Sequence, residues 1–119
     1  MLSGSCHCGA VHIEVARKPR RLTSCNCSIC HRYGTLWAYY KATAVRVICE
    51  PGATTHYCWG DKTLHFVRCS TCGCIINWQP VDMKADSRIG VNARNLSPET
   101  LSALPIRRFD GSSTWKYLD

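Results

Sequence analysis

The sequence has no apolar run near the roughly 18 residues that a membrane-crossing helix needs, because charged or polar residues interrupt every hydrophobic stretch. A helical membrane protein is thereby excluded. The opening Met1-Leu2-Ser3-Gly4-Ser5-Cys6-His7-Cys8 lacks both the charged start and the apolar core of a secretory signal, so a cytosolic chain is expected. Charge is also sparse: 19% of the residues are charged against 45% hydrophobic, a balance that belongs to a folded globule and excludes a disordered segment. No repeat and no low-complexity tract occurs, and there is no Gly-rich phosphate loop, paired-carboxylate constellation or nucleophilic serine motif. The 119 residues leave room for one domain, taken as 1–119.

Acidic residues number 8 against 15 basic ones, a net charge of +7. The positives are not gathered into a tail or stripe, since Glu14, Glu50, Asp61, Asp82 and Asp86 break them up. A nucleic acid is therefore not the expected partner, whereas small anionic ligands suit an excess of this size.

Alternation dominates what remains. Val11, Ile13 and Val15 set against His12 and Glu14 carry the period of two that marks a half-buried strand. Further strands are predicted at Thr35 to Lys41, Ala44 to Cys49, Thr54 to Trp59, Thr63 to Arg68, Cys74 to Gln79 and Arg88 to Ala93, each rich in β-branched or aromatic residues. Gly60-Asp61-Lys62 and Glu50-Pro51-Gly52 read as reversals. One short C-terminal helix is predicted, with Ser97 as its cap, Pro98 in the first position and Leu101 and Leu104 on one face. The fold class is a mostly antiparallel β domain with one minor helix.

Cysteine is the residue present in excess, ten in all. Eight fall into three groups: Cys6-His7-Cys8-Gly9, Cys25-Asn26-Cys27-Ser28-Ile29-Cys30, and Cys69-Ser70-Thr71-Cys72-Gly73-Cys74. Two thiolates one or two residues apart converge on one ion only through a tight turn, and Gly9 and Gly73 supply the backbone freedom such a turn needs. A closed tetrahedral zinc site takes four ligands, so a C-x-C and a distant C-x-x-C would complete one ion. The middle C-x-C-x-x-C offers three thiolates and an open position, the plan of a catalytic zinc. Cys74 is the alternative fourth ligand there, which would make both ions structural. A disulfide framework is disfavoured, because C-x-C pairs do not readily close on themselves and no export signal is present. The spacing also differs from ferredoxin cysteine runs. Cys49 and Cys58 read as small buried hydrophobes.

Ser5-Cys6-His7-Cys8-Gly9-Ala10-Val11, the middle cluster, and Arg68-Cys69-Ser70-Thr71-Cys72-Gly73, in this order, resemble the glutathione-dependent formaldehyde-activating enzymes, a family that also includes centromere protein V. The resemblance implies an Mss4-like β-tent with two zinc ions, one held by Cys6, Cys8, Cys69 and Cys72 and a second, more open one held by Cys25, Cys27 and Cys30. It further implies a carbon-sulfur lyase chemistry, in which a glutathione-like thiol adds to a small aldehyde such as formaldehyde. With two thiolate-bound zinc ions the effective charge would fall to about +4. Where the family pattern leads us to expect an arginine directly after the third cysteine, this chain has His31 and then Arg32, and Arg32 is the expected substrate-binding residue through a carboxylate contact. Trp37, Tyr39 and Tyr40 are candidates for a pocket wall. The centromere branch implies the alternative of a non-catalytic zinc module that binds a protein or nucleic acid.

Overall fold

The computed structural model describes residues 1–119. A small antiparallel sheet contains β1 (Leu2–Ser5), β2 (His12–Val15) and β5 (Val45–Ile48), with β2 in the middle. The large sheet has seven strands: β3 (Leu22–Cys25), β4 (Trp37–Lys41), β6 (Thr54–Tyr57), β7 (Leu64–Cys69), β8 (Ile75–Pro80), β9 (Arg88–Asn92) and β10 (Ile106–Phe109), in the order β10-β3-β4-β9-β8-β7-β6. Two short helices, α1 (Ser28–Tyr33) and α2 (Pro98–Ser102), complete the chain with two 3-10 turns at Ala42–Ala44 and Ala93–Asn95. The mostly β class is as the alternation predicts. No helix is long and apolar enough to cross a membrane.

Each strand predicted from alternation is present, with ends one or two residues displaced. The helix α2 is capped as expected, the Thr100 N–H donating to Ser97 Oγ at 3.2 Å. The turn at 60–62 closes through Lys62 N–H to the Trp59 carbonyl, 3.0 Å. Four elements went unpredicted. β1, β3 and β10 are four-residue strands with little alternation, so tertiary pairing and not local pattern makes them strands. β10 is the parallel exception in a mostly antiparallel fold, running alongside β3 with Ile106 opposite Leu22 and Phe109 opposite Cys25. Helix α1 corrects the expectation of a single helix: its N-cap is the Cys27 sulfur, a residue type that carries no capping signal in sequence.

The two sheets enclose the main core. Val11, Ile13 and Val15, each 1% exposed, face Leu22, Ala38, Tyr40, Val67, Ile76 and Val91 of the large sheet. Side chains on a strand alternate between faces, so Trp37 and Tyr39 point away from this core while Ala38 and Tyr40 point into it. On that outer face Trp37, Phe66 and Ile75 pack beneath α1 with Ile29 and Cys30, and Tyr33, Tyr39 and Trp78 border them. A second, smaller core thus lies under the middle cysteine cluster.

Candidate metal centres

The structure brings Cys6, Cys8, Cys69 and Cys72 together, all four sulfurs within 4.8 Å of one another. Two hairpin tips from different sheets supply them. Both tips have the same build: Cys6 N–H donates to the Val11 carbonyl (3.0 Å) and Gly9 N–H to the Cys6 carbonyl (3.2 Å), while Cys69 N–H donates to the Cys74 carbonyl (2.9 Å) and Gly73 N–H to the Cys69 carbonyl (3.0 Å). Gly9 and Gly73 have φ of +82° and +79°, the left-handed backbone for which their glycines were singled out. Backbone N–H groups turn inward onto sulfur, Val11 onto Cys6 at 3.3 Å and Thr71 and Cys72 onto Cys69 at 3.4 and 3.5 Å.

Four thiolates around a tetrahedral zinc at about 2.3 Å lie about 3.8 Å apart. The Cys6–Cys8 and Cys8–Cys69 sulfurs are 3.7 and 3.6 Å apart, so the donor set fits such an ion. The electrostatics agree. Hydrogen bonds from the backbone of Cys74 and Cys8 hold the Cys72 thiol down at about 5, and the backbone of Cys72 and Thr71 lowers Cys69. Cys8 is the exception, raised to about 11: the Ala10 N–H favours its thiolate, but desolvation and the proton it shares with Cys69 and Cys6 outweigh that bond.

Cys25, Cys27 and Cys30 form a second group, also within 4.8 Å of one another. Cys25 ends β3, Cys27 caps α1 and Cys30 lies in the first turn of that helix. Cys30 N–H donates to Cys27 Sγ at 3.4 Å and the buried Trp37 indole N–H donates to Cys30 Sγ at 3.3 Å. Cys25 and Cys30 divide one proton between them: the hydrogen bond from Cys30 lowers Cys25 to about 5, and the same bond, with burial, pushes Cys30 well up. Cys74 is not part of this group. It sits beside Cys72, outside the three-sulfur group, so the structure does not supply it as the fourth ligand of the middle cluster.

A C-terminal strap completes this second group, and sequence reasoning missed it. Asn26, between two of the cysteines, donates its backbone N–H to the Phe109 carbonyl (3.2 Å) and its side-chain N–H to Asp110 Oδ1 (3.0 Å), and accepts at Oδ1 from Ser112 N–H (3.0 Å). The Asp110 carboxylate also accepts from the Ser112 hydroxyl and from both the N–H and hydroxyl of Thr114. These donors, Asn26 first, hold its carboxyl far below the ordinary range. Gly111 presses against the cluster, and a Cβ there would lie 2.6 Å from Cys25 Sγ. Neither Asn26 nor Asp110 is a thiol; the unread Asp110-Gly111 pair is the one turn signal that could have marked the bend.

Other singled-out residues are distributed as follows. Trp37 is 1% exposed and Tyr39 half-buried on the cluster side, while Tyr40 lies on the opposite face, its hydroxyl donating to the Arg17 carbonyl at 2.8 Å. Arg32 is exposed on α1, its guanidinium donating to the Ser28 carbonyl at 2.9 Å. His7 and His31 are exposed, and His56 and His65 stack on the strand surface with centroids 4.9 Å apart. Cys49, read as a buried hydrophobe, is instead exposed just past the end of β5, and Cys58 is half-buried.

A crystal structure of a Rhodobacter sphaeroides protein shares this fold with a TM-score of 0.72 and 32% identity, covering 88% of this chain and 99% of its own. The family model described as "glutathione-dependent formaldehyde-activating enzyme" matches residues 1–104, ending before Asp110 and the strap. On that match over most of its length, joined to the two cysteine groups, the chain belongs to the glutathione-dependent formaldehyde-activating enzyme family.

Proposed function

We propose that this protein is a zinc-dependent enzyme of the carbon-sulfur lyase type, acting on glutathione or a related thiol and a small aldehyde such as formaldehyde. The observation that carries the reading is the inequality of the two cysteine groups: one offers four sulfurs, whereas the other offers three, two of which, from Cys25 and Cys30, line a cavity of about 200 Å³. In this reading Cys6, Cys8, Cys69 and Cys72 hold a structural zinc, and Cys25, Cys27 and Cys30 hold the reactive one. A zinc ion bound by three thiolates supplies a cation that favours the deprotonated form of an incoming thiol.

The chain's own residues do the remainder. Trp37 fixes the Cys30 sulfur through its indole N–H and, with Phe66 and Ile75, keeps water from the inner side of the group. The Asp110 strap fixes the loop carrying Cys25 and Cys27. Arg32 adds positive charge on α1, an attraction at longer range for the carboxylates of glutathione. In the reaction the thiol sulfur forms a bond to the aldehyde carbon, the C=O π pair moves to oxygen, and that oxygen takes up the proton the thiol gives up; cleavage is the reverse.

Thiols add to formaldehyde unaided, so the test must measure acceleration. Exchange spectroscopy by NMR on glutathione, formaldehyde and their S-hydroxymethyl adduct should show faster interconversion with zinc-loaded protein than without, and Cys27→Ser should remove the difference. Equal exchange rates with and without the wild-type protein would overturn the proposal.

A further inference from the structure

The geometry points to Arg94, assisted by Thr35, as the binding site for one carboxylate of the incoming thiol. This inference rests on the functional reading above and identifies which chemistry of the thiol the site selects. The cavity beside the second cysteine group is lined by Cys25 and Cys30 together with Thr35 and Arg94, and no acidic residue lines it. The exposed Arg94 side chain and two sulfurs of the three-cysteine group therefore border one small open cleft.

Arg94 is held in place before any ligand arrives. It sits in the 3-10 turn after β9, where its N–H donates to Asn92 Oδ1 (3.3 Å) and the neighbouring Ala93, fully buried, donates its N–H to the Leu36 carbonyl (2.8 Å). Its side-chain Nε donates to the Gly34 carbonyl at 2.7 Å, which orients the guanidinium plane. The four ion pairs of the molecule join Arg46 to Glu14, Lys84 to Asp82, and Arg107 and Arg108 to Asp119, so Arg94 has no carboxylate partner of its own. Its two terminal nitrogens are free for the paired contact that a planar carboxylate makes with a guanidinium.

Thr35 gives the second observation. The residue is 4% exposed, yet its hydroxyl has no hydrogen-bond partner in the protein. A buried hydroxyl left unpaired costs free energy, and Thr35 lines the same cavity as Arg94, so a carboxylate oxygen bound there is assigned as its missing partner. Arg32, in contrast, stands outside the cavity lining, already engaged with Ser28 on its own helix. At about 200 Å³ the cleft has room for a carboxylate and a short stem, the rest of a tripeptide thiol extending from its open side.

The test uses zinc-loaded protein and two thiols, glutathione and 2-mercaptoethanol, the latter lacking any carboxylate. Calorimetric titration of the wild type should give tighter binding for glutathione. Arg94→Ala should weaken glutathione by about tenfold or more and leave 2-mercaptoethanol unchanged, because a charge-assisted pair is lost while the sulfur contact is kept. Arg94→Lys should recover part of the loss, Thr35→Val should weaken glutathione alone by a few-fold, and Arg32→Ala should have less effect than either. Equal weakening of both thiols in Arg94→Ala would mean that the residue merely supports the fold, and would overturn the assignment. So would a wild type that binds both thiols equally well, an outcome that leaves the functional reading standing. A wild type that binds neither thiol would overturn the reading and this inference together.

Discussion

The two cysteine groups use the same atom type and nearly the same local spacing, yet the fold treats them as different objects. The four-sulfur group joins the β1–β2 hairpin of the small sheet to the β7–β8 hairpin of the large one, with Cys8 and Cys69 61 positions apart in sequence. The three-sulfur group comes from six consecutive residues at one strand end and one helix start. A metal at the first closes a long loop and ties two sheets; a metal at the second closes almost none. The difference teaches that ligand count and loop length travel together here. In the proposed function, the group assigned to chemistry is the one whose loss would leave the sheets joined.

The sharpest test of this comparison sets Cys72→Ser against Cys27→Ser. Structural zinc in small proteins contributes apparent binding energy comparable with the whole stability of a domain, so Cys72→Ser should lower the melting temperature by more than about 10 °C and lower the yield of folded protein. Cys27→Ser should lower it by far less, and metal analysis should find about one equivalent of zinc lost while the other is retained. Equal melting losses in the two variants would erase the distinction.

A smaller effect is expected from the strap. Asp110→Ala removes the acceptor of four hydrogen bonds and frees Asn26, so the second group should release its metal to a chelator about 10-fold or more readily, with the first group unaffected. The pH dependence has a definite sign. The Asp110 carboxyl is depressed in the folded protein, so its contribution is fully present above the ordinary carboxylate range near pH 4 and fades only as pH falls below it. Selective metal release from the second group should therefore not begin at pH 6 on account of this residue; release there that Asp110→Asn abolishes would contradict the account.

The smallest effect is a control on the small sheet. Arg46 and Glu14 face each other across β5 and β2 at 3.0 Å with the arginine largely exposed. Arg46→Ala should cost no more than about 0.5 kcal/mol, and thermal denaturation should show both metal equivalents unchanged. A large loss would mean that the small sheet depends on this ion pair more than on the four-cysteine group that joins it to the large sheet.

Much of this was legible before any coordinates. Val11, Ile13 and Val15 announce their strand because a half-buried strand imposes a period of two, and Ser97-Pro98 announces its helix because the first turn's free N–H groups need an acceptor. The cysteine groups are legible because two thiolates one or two residues apart converge on one ion only through a tight turn, and both the short spacing and the turn glycines are written in the sequence. Helix α1 was illegible because six residues carry no periodicity and because the capping atom is sulfur. The strand β10 was illegible because its pairing with β3 joins residues more than 80 positions apart, and nothing in Ile106-Arg107-Arg108-Phe109 specifies that partner.

The sequence by itself determined which residues can bind metal and the alternation that buries one face of each longer strand, since both are set by covalent spacing. Only the tertiary structure decided that Cys74 belongs with the four-sulfur end, that Asp110 secures Asn26 across the second group, and that Arg94, not Arg32, borders the cavity beside Cys25. The physical reason is the same in each case. Hydrogen bonds and enclosure depend on distances between chain segments far apart in sequence, and those distances exist only once the two sheets have packed.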